Sequence, residues 1–214
     1  MKRLIIFDLD GTLLNTIADL AGATNHALTL LGYPARPLDE FPTMVGNGIN
    51  KLFERCLPQG EKSLDNVLRV RERFLAYYDT HNTERTLPYP GIPELLDRLQ
   101  ADGRQIAVAS NKYQSATRKL IGLYFPRTTF VTVLGQRDGV PAKPNPTIVY
   151  DVLALTGVPK HQALFVGDSD IDMNAAINAG VDACGVTWGF RPRIELEATR
   201  PAYIVDRAEE IFEL

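Results

Sequence analysis

One short run constrains this chain more than any other. Leu4-Ile5-Ile6-Phe7 is continuously apolar and of strand-favouring type, and it is followed at once by Asp8-Leu9-Asp10-Gly11-Thr12. Such a run reads as a strand of a parallel sheet, buried on both faces. It delivers two carboxylates at its carboxyl end, and buried charges need partners. A divalent cation is the simplest partner. In an extended chain Asp8 and Asp10, one residue apart, fall on the same side, and Gly11 lets the backbone turn sharply just beyond. Taken alone, the same string could close a surface turn, where Asp and Gly are common. The strand ends further along decide between the two.

From residue 16 to about 80 the pattern is helical. The spacing predicts helices over 16–31, 49–57 and 64–80, with a shorter one from Asp39. Thr16 is placed to cap the first of these, with Asp19 three residues on, and Gly32 to end it. Met44-Val45-Gly46-Asn47-Gly48 reads as a tight loop ahead of a helix. From Pro88 strands and helices alternate. Strands are expected at 106–109, 130–134, 163–166, 181–185 and 202–205, and helices at 92–101, 115–121, 147–156, 173–179 and 208–212. Alternation of this kind predicts an α/β fold, a Rossmann-like doubly wound parallel sheet. The first strand belongs to it. The expected organisation is therefore a core domain of residues 1–15 and 83–214, with a small helical cap domain, residues 16–82, inserted after the first strand.

In an open parallel sheet every strand's carboxyl end lies on one edge, where ligands bind. Asp8 and Asp10 follow the first strand, Ser110 and Asn111 the second, Lys143 the third, and Asp168 and Asp172 the fourth. Singly, these would read as a strand-end turn, a helix cap, a solvated lysine and a strand-to-helix turn. Their convergence on one edge favours a site. The acids supply hard oxygen ligands without His or Cys, which points to Mg2+ over zinc. A carboxylate can attack phosphorus. Ser110 and amides near Asn111 can bond phosphate oxygens, and Lys143 supplies a point charge. This set suits phosphoryl transfer, which needs alignment and charge neutralisation.

Composition narrows the partners. A formal net charge of −3 gives no electrostatic argument for nucleic acid or an anionic membrane. No stretch has the ~18 consecutive apolar residues of a membrane helix, and Asp8 and Asp10 break the only run that could resemble a leader. Cys56 and Cys184, far apart in sequence, are expected as free structural thiols in a reducing compartment, hence the cytoplasm. His26, His81 and His161 have no metal-pair spacing.

The ordered set DLDGTLLNT (Asp8 to Thr16), ASNK (Ala109 to Lys112), AKPNP (Ala142 to Pro146) and VGDSDIDMNAAINAG (Val166 to Gly180) resembles the haloacid dehalogenase superfamily, and within it the phosphoglycolate phosphatase group. The resemblance implies that Asp8 is the nucleophile and Asp10 the general acid/base. It implies that Asp8, the backbone carbonyl of Asp10 and Asp168 hold Mg2+, with Asp172 an outer or second ligand. Ser110 and Lys143 would bind the phosphoryl group, with Asn111 beside them. Asn15 stands where the motif often has Asp, at a position without a catalytic role. Gly46-Asn47-Gly48, followed by Lys51 and Arg55, resembles the group's substrate loop. Its amides ahead of a helix could hold an anionic tail, or it could be a plain glycine turn. Tyr89-Pro90-Gly91 and Thr187-Trp188-Gly189-Phe190 also match the group, with Trp188 and Phe190 expected to pack. The implied activity is hydrolysis of a small phosphorylated metabolite. The alternatives are a pyrophosphatase, a β-phosphoglucomutase-type phosphotransferase, or a non-catalytic regulatory protein on the same fold. A dehalogenase fits poorly, since it needs no Mg2+ and typically lacks an acid at Asp10. If catalysis uses cap closure, residues 15–17 and 81–87 are the expected hinges. The sequence leaves monomer and homodimer equally open.

Overall fold

The computed structural model describes all of residues 1–214. In chain order its strands are β1 (Leu4–Phe7), β2 (Leu14–Asn15), β3 (Leu87–Pro88), β4 (Gln105–Tyr113), β5 (Phe130–Gln136), β6 (Ala163–Gly167), β7 (Asp182–Val186) and β8 (Tyr203–Val205). The α-helices are α1 (Ile17–Leu30), α2 (Phe41–Met44), α3 (Ile49–Cys56), α4 (Leu64–His81), α5 (Ile92–Ala101), α6 (Gln114–Tyr124), α7 (Thr147–Thr156), α8 (Asp170–Ala179) and α9 (Arg193–Ala198). Two compact units result, Met1–Leu14 with Pro88–Leu214, and Asn15–Leu87. β2 and β3 pair as a short ribbon where the chain leaves the first unit and returns to it.

The first unit is a doubly wound α/β fold. Its six strands run in the order β5-β4-β1-β6-β7-β8, and every pairing is parallel. Period-two alternation of side chains divides the core into two layers. Ile5, Phe7, Ile106, Val108, Leu164 and Val166 meet Leu95, Leu96 and Leu99 of α5 and Leu120 of α6 on one face. Leu4, Ile6, Ala107, Ala109 and Phe165 meet Val149 and Val152 of α7 and Met173 and Ala176 of α8 on the other. This double burial is why β1 has no polar residue until Asp8. From β1 the chain builds outward through β4 and β5 on one side and through β6, β7 and β8 on the other. The carboxyl ends of β4, β1 and β6 therefore flank a topological switch point, where crevices form in such sheets.

The second unit is helical. Leu20, Ala27 and Leu28 of α1, Phe53 of α3, and Val70, Phe74 and Tyr78 of α4 are buried. Phe74 stacks on Tyr78 at 4.8 Å and packs against Phe53 at 5.1 Å between ring centroids.

Several local expectations are corrected. Thr16 makes no side-chain capping bond to α1. Asp19 does not complete a capping box there. It is buried, and it accepts from the backbone of Arg85 at 3.0 Å, from Thr86 N at 2.9 Å and from Thr86 Oγ1 at 2.7 Å. Amides arriving from a segment 66 residues away took the carboxylate that local sequence would assign to the helix. α8 begins at Asp170 and not at Met173, because Ser169 and Asp172 form a reciprocal capping box. β4 runs on through Tyr113, past Ser110 and Asn111, and its register on β5 shifts between Ala109 and Tyr113. The terminal 208–213 segment is a 3-10 helix, and α9 had no periodic pattern to announce it.

Candidate active site

The site begins where β1 ends. Asp8 N donates to Val166 O at 2.9 Å, so the ladder with β6 continues one residue past the strand. The chain then folds back on itself. Leu9 O accepts from Leu13 N and Leu14 N, each at 3.0 Å, and Gly11 N donates to Leu14 O at 2.9 Å. Gly11 sits at φ +87°, a conformation glycine adopts without steric cost. A Cβ there would lie 2.2 Å from Asp168 Oδ2, so the turn is pressed directly against that carboxylate.

Lys143 links β4, α8 and the end of β1. Its Nζ donates to Ala109 O at 2.8 Å and to Asp172 Oδ1 at 2.7 Å, and lies 3.0 Å from Asp8 Oδ1. The last contact is an ion pair without hydrogen-bond alignment: Asp8 Oδ1 is buried and accepts no directed hydrogen bond from the protein. The Lys143 backbone is fixed by the Asn111 side chain, which accepts from Lys143 N at 2.8 Å and donates to Lys143 O at 3.0 Å. The second oxygen of Asp172 accepts from Ser169 Oγ at 2.6 Å and Ser169 N at 3.2 Å.

Asp168 is held from two sides. Thr12 Oγ1 donates to its Oδ1 at 3.3 Å and the Phe190 amide to its Oδ2 at 2.7 Å. Gly189 lets this loop approach, since a Cβ there would lie 2.2 Å from Asp168 Cβ and 2.5 Å from Gly11 O. Trp188 Nε1 donates to Thr12 O at 3.1 Å, tying the same loop to the turn after β1. Asp10 is met by Lys112, whose Nζ lies 3.1 and 3.2 Å from the two carboxylate oxygens.

Electrostatics follow from this packing. Burial pushes the Asp8 carboxyl up to about 6; Lys143 pulls it down, while Asp172 and Asp10 add to the rise. Burial, then Asp172 and Asp8, raise Asp168 well above the usual carboxylate range. Burial is the largest single effect on Lys143 and would lower it, but Asp172 and Asp8 together outweigh burial and hold the ammonium above an ordinary lysine. One carboxyl oxygen from each of Asp8, Asp168 and Asp172 lies within 4.8 Å of the others. Four carboxylates face two ammonium groups, an imbalance that one divalent cation cancels. The buried, undirected Asp8 Oδ1 and the all-oxygen donor set fit a hard cation of the Mg2+ type.

The structure thus gathers Asp8, Asp10, Ser110, Asn111, Lys143, Asp168 and Asp172 at the ends of β1, β4, β6 and the loop after β5. Gly46, Asn47 and Gly48 belong to the second unit, in the loop between α2 and α3. There Arg55 donates to Met44 O and to Asn47 Oδ1, each at 2.6 Å, which fixes that loop from within the unit. Sequence reasoning gave no part in the site to Lys112, Thr12 or the Phe190 amide. Lys112 was discoverable: it stands two residues from Ser110, on the same strand face. The backbone donor of Phe190 has no sequence counterpart.

The profile for haloacid dehalogenase-like hydrolases matches residues 5–186. A phosphoglycolate phosphatase of Pseudomonas putida is 34% identical over 211 residues, covering 96% of this chain and 77% of its own length. One from Vibrio parahaemolyticus is 34% identical over 217 residues, covering 99% and 95%. The crystal structure of a predicted phosphoglycolate phosphatase from Haemophilus somnus superposes with a TM-score of 0.91 at 32% identity, covering 99% of this chain and 97% of its own. The motif order, the sheet that carries it and these matches agree: the chain belongs to the haloacid dehalogenase-like hydrolases.

Proposed function

We propose that this hydrolase cleaves a small phosphomonoester through a phosphoryl group carried on Asp8, with Mg2+ as cofactor and 2-phosphoglycolate as the first candidate substrate. The observation that carries the reading is the setting of Asp8. It is buried, faces Lys143 Nζ at 3.0 Å, keeps one oxygen free of directed hydrogen bonds, and stands two residues from a second acid. A structural aspartate in this position would be expected to have both oxygens satisfied.

The roles follow from position. An oxygen of Asp8 attacks phosphorus, and Lys143 and Ser110 stabilise the charge on the transferring group. Asp10 gives its proton to the departing alkoxide, then takes one from the water that hydrolyses the aspartyl-phosphate. Asp8, the backbone carbonyl of Asp10 and Asp168 are the ligands for Mg2+, which when bound supplies neutralising charge for the phosphoryl oxygens. Asp172, with both oxygens already engaged by Lys143 and Ser169, is suited to an outer position. Asn111 acts by holding the Lys143 backbone. In the second unit Gly46, Asn47 and Gly48 are the candidates for contacting the remainder of the substrate. Cys56 and Cys184 are free and buried, which supports a reducing, cytoplasmic setting.

The test is steady-state phosphate release with Mg2+ from 2-phosphoglycolate beside sugar phosphates, nucleotides and pyrophosphate, with Asp8→Asn as control. The highest kcat/KM on 2-phosphoglycolate, abolished by Asp8→Asn, is the expected result. A different best ester with Asp8→Asn still inactive would overturn the substrate and keep the chemistry. An active Asp8→Asn variant would overturn the chemistry.

A further inference from the structure

Lys112 is a buried cation at this site with no part in the steps above. Its side chain is 3% exposed and that of Asp10 13%. A buried ammonium is tolerated when it is paired, and both carboxylate oxygens of Asp10 lie within 3.2 Å of its Nζ. The backbone explains the pairing. β1 and β4 are adjacent and parallel, with Phe7 opposite Val108. Beyond those residues, Asp8 and Asp10 stand in the segment that leaves β1, and Ser110 and Lys112 lie two residues apart on β4. Ser110 hydrogen-bonds Asp8, and Lys112 meets Asp10. The register of β4 on β5 is irregular between Ala109 and Tyr113, the stretch that contains both side chains. Irregularities of this kind re-aim side chains beside active sites.

We propose that Lys112 is a positioning residue that clamps the carboxylate of Asp10 and holds it in the orientation from which it protonates the leaving oxygen and later deprotonates water. The inference rests on the reading of Asp10 as acid and base. Lys112 acts through Asp10 and makes no contact of its own with substrate. Of the two partners the lysine is the more deeply buried, its side chain 3% exposed against 13% for Asp10, so the ammonium is the anchored member of the pair. Misorientation of a catalytic acid costs turnover and leaves substrate binding intact.

The experiment compares Lys112→Met, Lys112→Arg, Asp10→Asn and the Asp10→Asn/Lys112→Met double variant. The substrates are the best alkyl phosphate of the panel and 4-nitrophenyl phosphate. Lys112→Met is expected to lower kcat on the alkyl ester about 10- to 100-fold, a fraction of what general acid–base catalysis supplies, with KM within about twofold. Lys112→Arg should recover part of the loss. In the Asp10→Asn background Lys112→Met should cost nothing further, because its effect runs through Asp10. Nitrophenolate needs no proton to leave, so Lys112→Met should release it at the wild-type rate in the first turnover and slowly thereafter. A raised KM with intact kcat would make Lys112 a substrate contact and overturn the proposal. So would wild-type kinetics, or a further loss on top of Asp10→Asn. An Asp10→Asn variant with wild-type kcat would instead overturn the acid–base reading itself. Should Lys112→Met fail to fold, Lys112→Gln is read by the same criteria.

Discussion

Lys143 Nζ stands 2.7 Å from Asp172 Oδ1, and each of the two side chains is 1% exposed. Removing one member of so buried a pair leaves the other as an uncompensated charge. Lys143→Met strands Asp172 and also deprives Asp8 of its counter-ion. Loss of about 3–5 kcal/mol of stability is expected, the range for breaking a buried pair, together with loss of phosphatase activity. Urea unfolding of wild type and variant measures the first. A change below about 1 kcal/mol, the range of exposed pairs, would mean that the pair relaxes into water and is not held as described.

The carboxylate cluster also sets a pH dependence for the metal-free protein. Asp8 is raised from 3.8 to about 6, chiefly by burial. Between those values the folded state binds more protons than the unfolded chain, so stability falls as pH rises through that window, and the penalty is complete above it. Asp168, raised in the same direction, extends the window upward. In EDTA, Asp8→Asn should therefore be more stable than wild type at neutral pH, and its advantage should shrink as pH falls toward 4. Added Mg2+ binds the ionised carboxylates, so its gain in Tm should be larger at pH 7 than at pH 5. Melting curves across pH with and without Mg2+ read both effects. A Mg2+ gain that grows on acidification would contradict the electrostatic account.

Gly189 is required by contact with Asp168. A Cβ placed on it would lie 2.2 Å from Asp168 Cβ and 2.5 Å from Gly11 O. Gly189→Ala must push the loop away, which displaces the Phe190 amide from Asp168 Oδ2. The expected cost is about 1–3 kcal/mol from overpacking, with weaker Mg2+ affinity measured by calorimetric titration. Unchanged affinity would show that this loop does not position Asp168.

Much of the site was legible because its residues follow apolar runs. Asp8 after Leu4–Phe7 and Asp168 after the β6 run could be placed at a sheet edge by alternation alone. Lys143 could be placed only by its position after the third strand, since a lysine in a proline-rich loop carries no pattern of its own. What the sequence hid was non-local. Asp19 looked like a partner for Thr16, three residues away, but its bonds come from Arg85 and Thr86. Asn111 was read for the amides beside it, and the bonds of its side chain to the Lys143 backbone, 32 residues away, had no local signal. The amide of Phe190 reaches Asp168 across 22 residues, and backbone donors leave no trace in residue type.

The Asp19 contacts carry their own prediction. Three donors, Arg85 N, Thr86 N and Thr86 Oγ1, converge on one buried carboxylate. Asp19→Ala leaves them without that acceptor, at a cost of about 3 kcal/mol, as expected for charge-assisted bonds. Hydrogen exchange at the Arg85 and Thr86 amides should accelerate in the variant. Unaltered protection there would mean that other groups hold this segment.

In the proposed reaction Asp8 carries the phosphoryl group. Rapid acid quench of the enzyme during turnover of its best phosphate ester, followed by borohydride reduction and peptide mass mapping, tests it directly. An aspartyl-phosphate is reduced to homoserine, so the account predicts homoserine at residue 8 in the quenched wild type and none in Asp8→Asn. Turnover with Asp8 recovered unmodified at every quench time, or reduction found at Asp10 or Asp168 instead, would contradict it.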